Sequence, residues 1–113
     1  MATLTDAEKK ATDKIIKHLK KTCSEQLVEV ILYGSKARGD YSAESDIDIL
    51  VIVRNRNHID RDKIYDFLLD DDIDYNLNFS LNIYGVNEFQ RLVAMKAPFV
   101  MNVLREGETL WTS

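Results

Sequence analysis

Asp46 and Asp48 stand at the head of a β-branched run, Ile47, Ile49, Leu50, Val51, Ile52 and Val53, that reads as a strand buried on both faces. Side chains on a strand alternate, so the two carboxylates project from one face, about 7 Å apart along the backbone. Unpaired negative charge at the mouth of a buried strand is costly, and it is relieved by protonation, by a cation or by a metal. Two hard oxygen donors so placed predict a magnesium site with Asp46 and Asp48 as ligands.

The residues just upstream indicate what such a metal would act on. Gly34 follows the apolar segment Leu27 to Tyr33 and marks a sharp turn at the end of a strand. A short helix starting at Ser35 would aim its free backbone N–H groups and the Ser35 hydroxyl at one point, an arrangement that favours phosphate. Lys36 and Arg38 add positive charge beside it. The spacing from Gly34 to Gly39 imitates the start of a P-loop, but Asp40 and Tyr41 stand where that motif needs Lys and then Ser or Thr, so the P-loop reading fails. What remains is a phosphate-cradling turn joined to a two-carboxylate strand, which suits metal-assisted phosphoryl or nucleotidyl transfer. Each residue also has a plain structural reading. Gly34-Ser35 could be only a turn, Asp40 an Asx-turn residue, and Arg38 a surface partner of Asp40 or Glu44. Their joint occurrence favours chemistry, because a structural loop has no reason to put two carboxylates on the same strand face.

The elements that must position these residues are legible on either side. Thr5 and Glu8 form a T-x-x-E capping box, and Ala7, Ala11, Ile15, Leu19 and Cys23 recur every four residues, predicting an amphipathic first helix. Its other faces carry Lys9, Lys10, Lys14, Lys17, Lys20 and Lys21, read as a solvated surface, and His18 shows no partner pattern. Leu27 to Tyr33 is the first strand and Asp46 to Val53 the second. Ile59, Ile64, Phe67 and Leu68 fit a helix of about three turns that Asp60 can cap. The cluster Asp70, Asp71, Asp72 and Asp74 lacks the spacing and glycine of a calcium loop and reads as a solvated turn. From Ile73 to Tyr84 the alternation is strict, with one apolar face and one face of Asp74, Asn76, Asn78, Ser80 and Asn82, predicting a third strand with an unusually polar side. Beyond Gly85, Asn87 can cap a helix through about Met95, and Pro98 can start another that runs to Arg105. Phe89, Leu92, Val93, Val100, Val103 and Leu104 would cover the sheet, and Thr109 to Trp111 reads as a short edge strand.

Composition narrows the function classes. At 113 residues and 45% hydrophobic content, the chain is expected to form one domain spanning 1–113. A formal charge of −4 lacks the basic footprint of a protein that grips long nucleic acid. The single cysteine, Cys23, allows no intramolecular disulfide and no cysteine metal cluster, and reads as a buried helix residue. With neither a signal-peptide core nor an apolar run near the ~18 residues of a membrane span, a soluble cytoplasmic protein is expected.

Gly34, Ser35, Ala37, Arg38, Gly39, Asp40, Ser45, Asp46 and Asp48 match the GSxARGD…SDxD signature of minimal nucleotidyltransferases, and the chain resembles that branch of the DNA polymerase β-like superfamily. The resemblance implies an α/β (α+β) fold with a small mixed sheet flanked by helices. It implies that Gly34 and Ser35, with Lys36 and Arg38 nearby, hold the phosphates of an NTP, ATP in the first place. Asp46 and Asp48 would bind two Mg2+ ions, and a third catalytic carboxylate would come from the neighbouring strand. Asp74 is the candidate for it, with Asn76 and Asn78 as alternatives at other registers. Lys36 stands where the family more often has arginine, keeping the charge without the bidentate fork. The chain has no spare length for an acceptor-binding domain, so the acceptor hydroxyl is expected on a partner protein. Its size resembles the antitoxin of HEPN/nucleotidyltransferase toxin-antitoxin pairs, in which the HEPN toxin is modified. Two rival readings stand beside this one: a weakened site that binds nucleotide or partner without chemistry, and transfer to a small molecule of the aminoglycoside type.

Overall fold

The computed structural model describes residues 4–34, 46–67 and 79–113. Helix α1 spans Asp6–Cys23 and begins with the expected capping box: Glu8 N–H donates to Thr5 Oγ1 at 3.1 Å, and Thr5 N–H donates to Glu8 Oε1 at 2.8 Å. Ala11, Ile15, Leu19 and Cys23 are buried, whereas Ala7 is exposed. A four-residue repeat drifts by about 40° per step on a helix of 3.6 residues per turn, and by Ala7 it has left the buried stripe. Substituting Thr5 by Ala removes one partner of the box and is expected to cost about 1 kcal/mol, read as a lower urea midpoint with unchanged slope.

Strand β1 spans Leu27–Tyr33 and β2 spans Ile47–Val53. Helix α2 covers Arg61–Phe67, with Asp60 Oδ1 accepting from the Lys63 N–H at 3.2 Å, so Asp60 caps it as predicted. Strand β3 is described over Phe79–Gly85; the upstream part of the predicted strand and the acidic cluster lie outside the described residues. Helices α3, Val86–Ala94, and α4, Pro98–Glu106, follow, and β4, Glu108–Thr112, closes the chain. Asn87 is not the cap of α3. The cap is Gly85, two residues earlier, and Glu88 Oε1 reaches back to accept from the Gly85 N–H at 3.0 Å.

The four strands form one mixed sheet in the order β3-β2-β1-β4, with β2 parallel to β3 and antiparallel to β1, and β4 antiparallel to β1 at the edge. Helices cover both faces. Ile47, Ile49, Val51 and Val53 of β2 pack with Ile15, Leu19 and Ile64 of α1 and α2. Leu50 and Ile52 pack with Phe89, Val100 and Val103 of α3 and α4. Burial on both sides is why β2 is continuously apolar, and Asp48 is the exception, on the same face as Leu50 and Ile52. His18, which sequence left without a partner, donates from Nε2 to the Lys63 carbonyl at 3.0 Å and ties α1 to α2. Cys23 is a free buried thiol whose pKa burial pushes up, consistent with a packing role. Leu104, in the last turn of α4, is 54% exposed and does not cover the sheet. Among the described residues, no helix is long and apolar enough to cross a membrane.

Candidate active site

The site is built where β1 ends and β2 begins. The chain leaves β1 through Gly34, whose φ of +78° lies in the left-handed region that a side chain disfavours. A second reason for glycine is proximity: a Cβ at position 34 would collide with Asp48 Oδ2 and lie 3.2 Å from its Cγ. The Gly34 backbone and the Asp48 carboxylate are therefore in direct apposition. Asp48 is half-buried, while Asp46, immediately before the strand, is exposed.

Cross-strand register extends the site sideways. Tyr33 pairs with Asp48, and Asp48 pairs with Ser80, so three strands set a phenol, a carboxylate and a hydroxyl in one row across the same sheet face. Behind this row, Asn82 lies opposite Leu50, and its Nδ2 donates to the Tyr33 hydroxyl oxygen at 2.5 Å. The Tyr33 side chain thus reaches across Leu50 towards β3, with its ring against the apolar core beneath α3 and α4. Phe99 holds the ring edge-on at a centroid distance of 5.4 Å and lies 6.2 Å from the ring of Tyr84. Burial, reinforced by the negative charge of Asp48, raises the Tyr33 pKa despite the opposing bond from Asn82, so the phenol remains a neutral hydrogen-bond donor.

Of the residues singled out by sequence, the structure brings together Gly34 and Asp48, with Asp46 just upstream on the chain. Ser35, Lys36, Arg38 and Asp74 lie outside the described residues. Among the described residues, no three His, Cys, Asp or Glu side chains gather to enclose a metal ion. The two aspartates nevertheless fit magnesium chemically. They offer hard oxygen donors, and Asp48 Oδ2 is turned into the space left open by the missing side chain of Gly34. Tyr33, Ser80, Asn82 and Phe99 are neighbours of the site that sequence reading did not assign to it; the polar side of β3 was the one available signal.

Gly34 at the end of β1 lies against Asp48 at the start of β2, on a mixed sheet flanked by helices. The chain belongs to the nucleotidyltransferase domain family, whose model matches residues 13–100. It is 34% identical over 106 residues, covering 92% of this chain and 98% of the relative, to a Methanocaldococcus jannaschii protein that carries the name protein adenylyltransferase. The fold is shared with a Sulfolobus solfataricus protein named as a nucleotidyltransferase, at a TM-score of 0.59, 21% identity, and coverage of 99% of this chain and 92% of that one. A toxin-antitoxin solved with AMP-PNP has the same TM-score of 0.59 at 23% identity, over 89% of this chain and 73% of that one. The mixed-sheet α/β fold and the transferase class expected from the sequence are thus both present.

Proposed function

We propose that this enzyme transfers a nucleoside monophosphate, AMP from ATP, to a hydroxyl on a partner protein, with pyrophosphate as the leaving group. The observation that carries the reading is the apposition of Gly34 and Asp48 at the open end of a sheet face that is otherwise apolar on β2. The turn after Gly34, with Ser35, Lys36 and Arg38, holds the triphosphate in this reading. Asp46 and Asp48 would hold magnesium, which supplies charge neutralisation at the phosphates. Asp74 is the carboxylate that takes the acceptor proton, as the family resemblance implies. The name of the Methanocaldococcus relative supports a protein acceptor, and the toxin-antitoxin with the same fold supports a toxin as that partner, which the family resemblance makes one of the HEPN type. A cytoplasmic setting supplies both ATP and magnesium.

The test is incubation with ATP labelled in the α-phosphate, magnesium and the cognate HEPN protein. Label is expected on the partner and absent when magnesium is chelated. An unlabelled partner, with preparations that bind ATP and magnesium, would sink the proposed acceptor.

One observation favours a second reading. The side chain that β3 sets beside Asp48 is the hydroxyl of Ser80, not a carboxylate, as a nucleotide- or partner-binding module without chemistry would tolerate. Asp74→Asn separates the two. A transfer rate reduced by about a hundredfold or more supports Asp74 as the base, whereas partner neutralisation that persists in the Asp46→Asn, Asp48→Asn protein supports the binding module.

A further inference from the structure

The sheet ends at β4, and a groove runs between that edge and α1, away from Gly34 and Asp48. We propose that this edge is where two copies of the chain pair, β4 against β4 in antiparallel order, joining two four-stranded sheets into one of eight.

The groove has a volume of about 520 Å3, with Leu4, Ile16 and Leu110 on its apolar side and Lys9, Asp13 and Glu108 on its polar side. Register places the rest. Trp111 pairs with Val30 and Glu108 with Leu32, and both β1 residues belong to the core beneath α1. Cross-strand partners share a sheet face, so Glu108 and Trp111 face α1 as well. Lys20, exposed on α1, sets its Nζ 5.7 Å from the centroid of the Trp111 ring. The edge thus carries an anion at the Glu108 end and a cation at the Trp111 end.

Among the described residues, no strand lies outside β4. Edge strands are commonly guarded against pairing by lysine or proline, and the segment from Glu108 to Thr112 contains neither, while its two threonines and its tryptophan favour strand. Its one irregularity selects the partner. The register with β1 shifts between Val30 and Ile31, leaving Leu110 with no β1 residue of its own. Such a bulge raises the local twist and disfavours a flat added strand, whereas two strands of equal, high twist suit a ribbon. A second β4 has that twist.

Charge agrees with this choice. With a two-fold axis normal to the sheet, both α1 helices lie on one face and the two grooves merge between them. Centred on the step between Leu110 and Trp111, the pairing puts Glu108 diagonally opposite Trp111 of the second copy, in reach of Lys20 of the second copy. The two-fold makes this contact twice. Because Glu108 lies at the Gly34 end of β1, the two candidate active sites point in opposite directions and neither copy obstructs the other's.

The experiment is sedimentation equilibrium of the full chain as wild type, as Glu108→Lys, as Lys20→Glu, and as an equal mixture of the two variants. The wild type should show a monomer–dimer equilibrium. Each variant alone sets like charges together at both contacts, and its dissociation constant should rise about tenfold or more. The mixture restores opposite charges at both contacts, and its constant should return to within about threefold of the wild type. Both residues are exposed, and thermal melting checks each fold. Glu108→Gln, with an expected rise of about threefold, stands in for a reversal that does not melt cooperatively. A wild type that stays monomeric up to about 1 mM overturns the proposal and leaves the edge to a strand of another protein. A dimer that neither reversal weakens, or a mixture no tighter than the single variants, overturns the β4 seam.

Discussion

Replacing Asp46 and Asp48 together by Asn is expected to lower nucleotidyl transfer on the order of a thousandfold or more while the protein stays folded. The magnitude follows from what the carboxylates are asked to do: metal-borne stabilisation of charge on a transferring phosphoryl group is worth several kcal/mol, and each 1.4 kcal/mol is a factor of ten in rate. The fold should tolerate the change, because Asp46 is exposed, Asp48 is half-buried, and asparagine preserves the shape of each. Each single substitution should account for most of the double mutant's loss, since groups that share one site act as a unit. The measurement is initial-rate transfer of label under saturating ATP and magnesium, paired with urea unfolding. A double mutant that retains more than about a tenth of the rate with an unchanged unfolding midpoint would remove both residues from the machinery.

Most of the fold can be read from the residues because periodicity and punctuation agree. The first strand, Leu27–Tyr33, is bounded by polar Gln26 and by Gly34, and the second is a β-branched run that fits nothing but a doubly covered strand. The first helix carries its own start signal in Thr5 and Glu8. Asn87 misleads because a capping residue type is weaker evidence than the local geometry. Gly85 takes an extended backbone, and Glu88 supplies the reaching acceptor, so Asn87 falls inside the first turn.

The candidate site is legible only within a strand, not across strands. Asp46, Asp48 and Gly34 are close in sequence, and alternation fixes the relation of the two aspartates. The row Tyr33, Asp48 and Ser80 depends on the register of β2 against β3. A strand with strict alternation is unchanged in pattern by a slip of two residues, so Asp74, Asn76, Asn78 and Ser80 are equivalent on sequence grounds. The Asn82 to Tyr33 bond is hidden for the same reason, being a contact between positions separated by 49 residues. The register of the described strands sets Ser80 beside Asp48, six positions past Asp74 in sequence.

Gly34→Ala should separate stability from function more sharply than any other single change. Alanine at φ +78° carries the left-handed penalty of roughly 1–2 kcal/mol. Its methyl group also meets Asp48 Oδ2, with Cγ at 3.2 Å and the Asp48 Cβ at 3.4 Å. The nearest atom is the end of a side chain, so the carboxylate can swing aside, and the folded state should lose about 1–3 kcal/mol in all. That movement takes the oxygen away from the turn that would hold phosphate, and catalysis is sensitive to displacements of about 1 Å, so transfer should fall about a hundredfold. A double-mutant cycle with Asp48→Ala isolates the contact. In the Asp48→Ala background the methyl group meets no carboxylate, only the backbone penalty remains, and a coupling energy of about 1 kcal/mol should appear in urea unfolding. Additive effects on stability would mean that position 34 requires glycine for its backbone alone. In that case the close approach to Asp48 would be a consequence of the turn rather than the feature that forms the site.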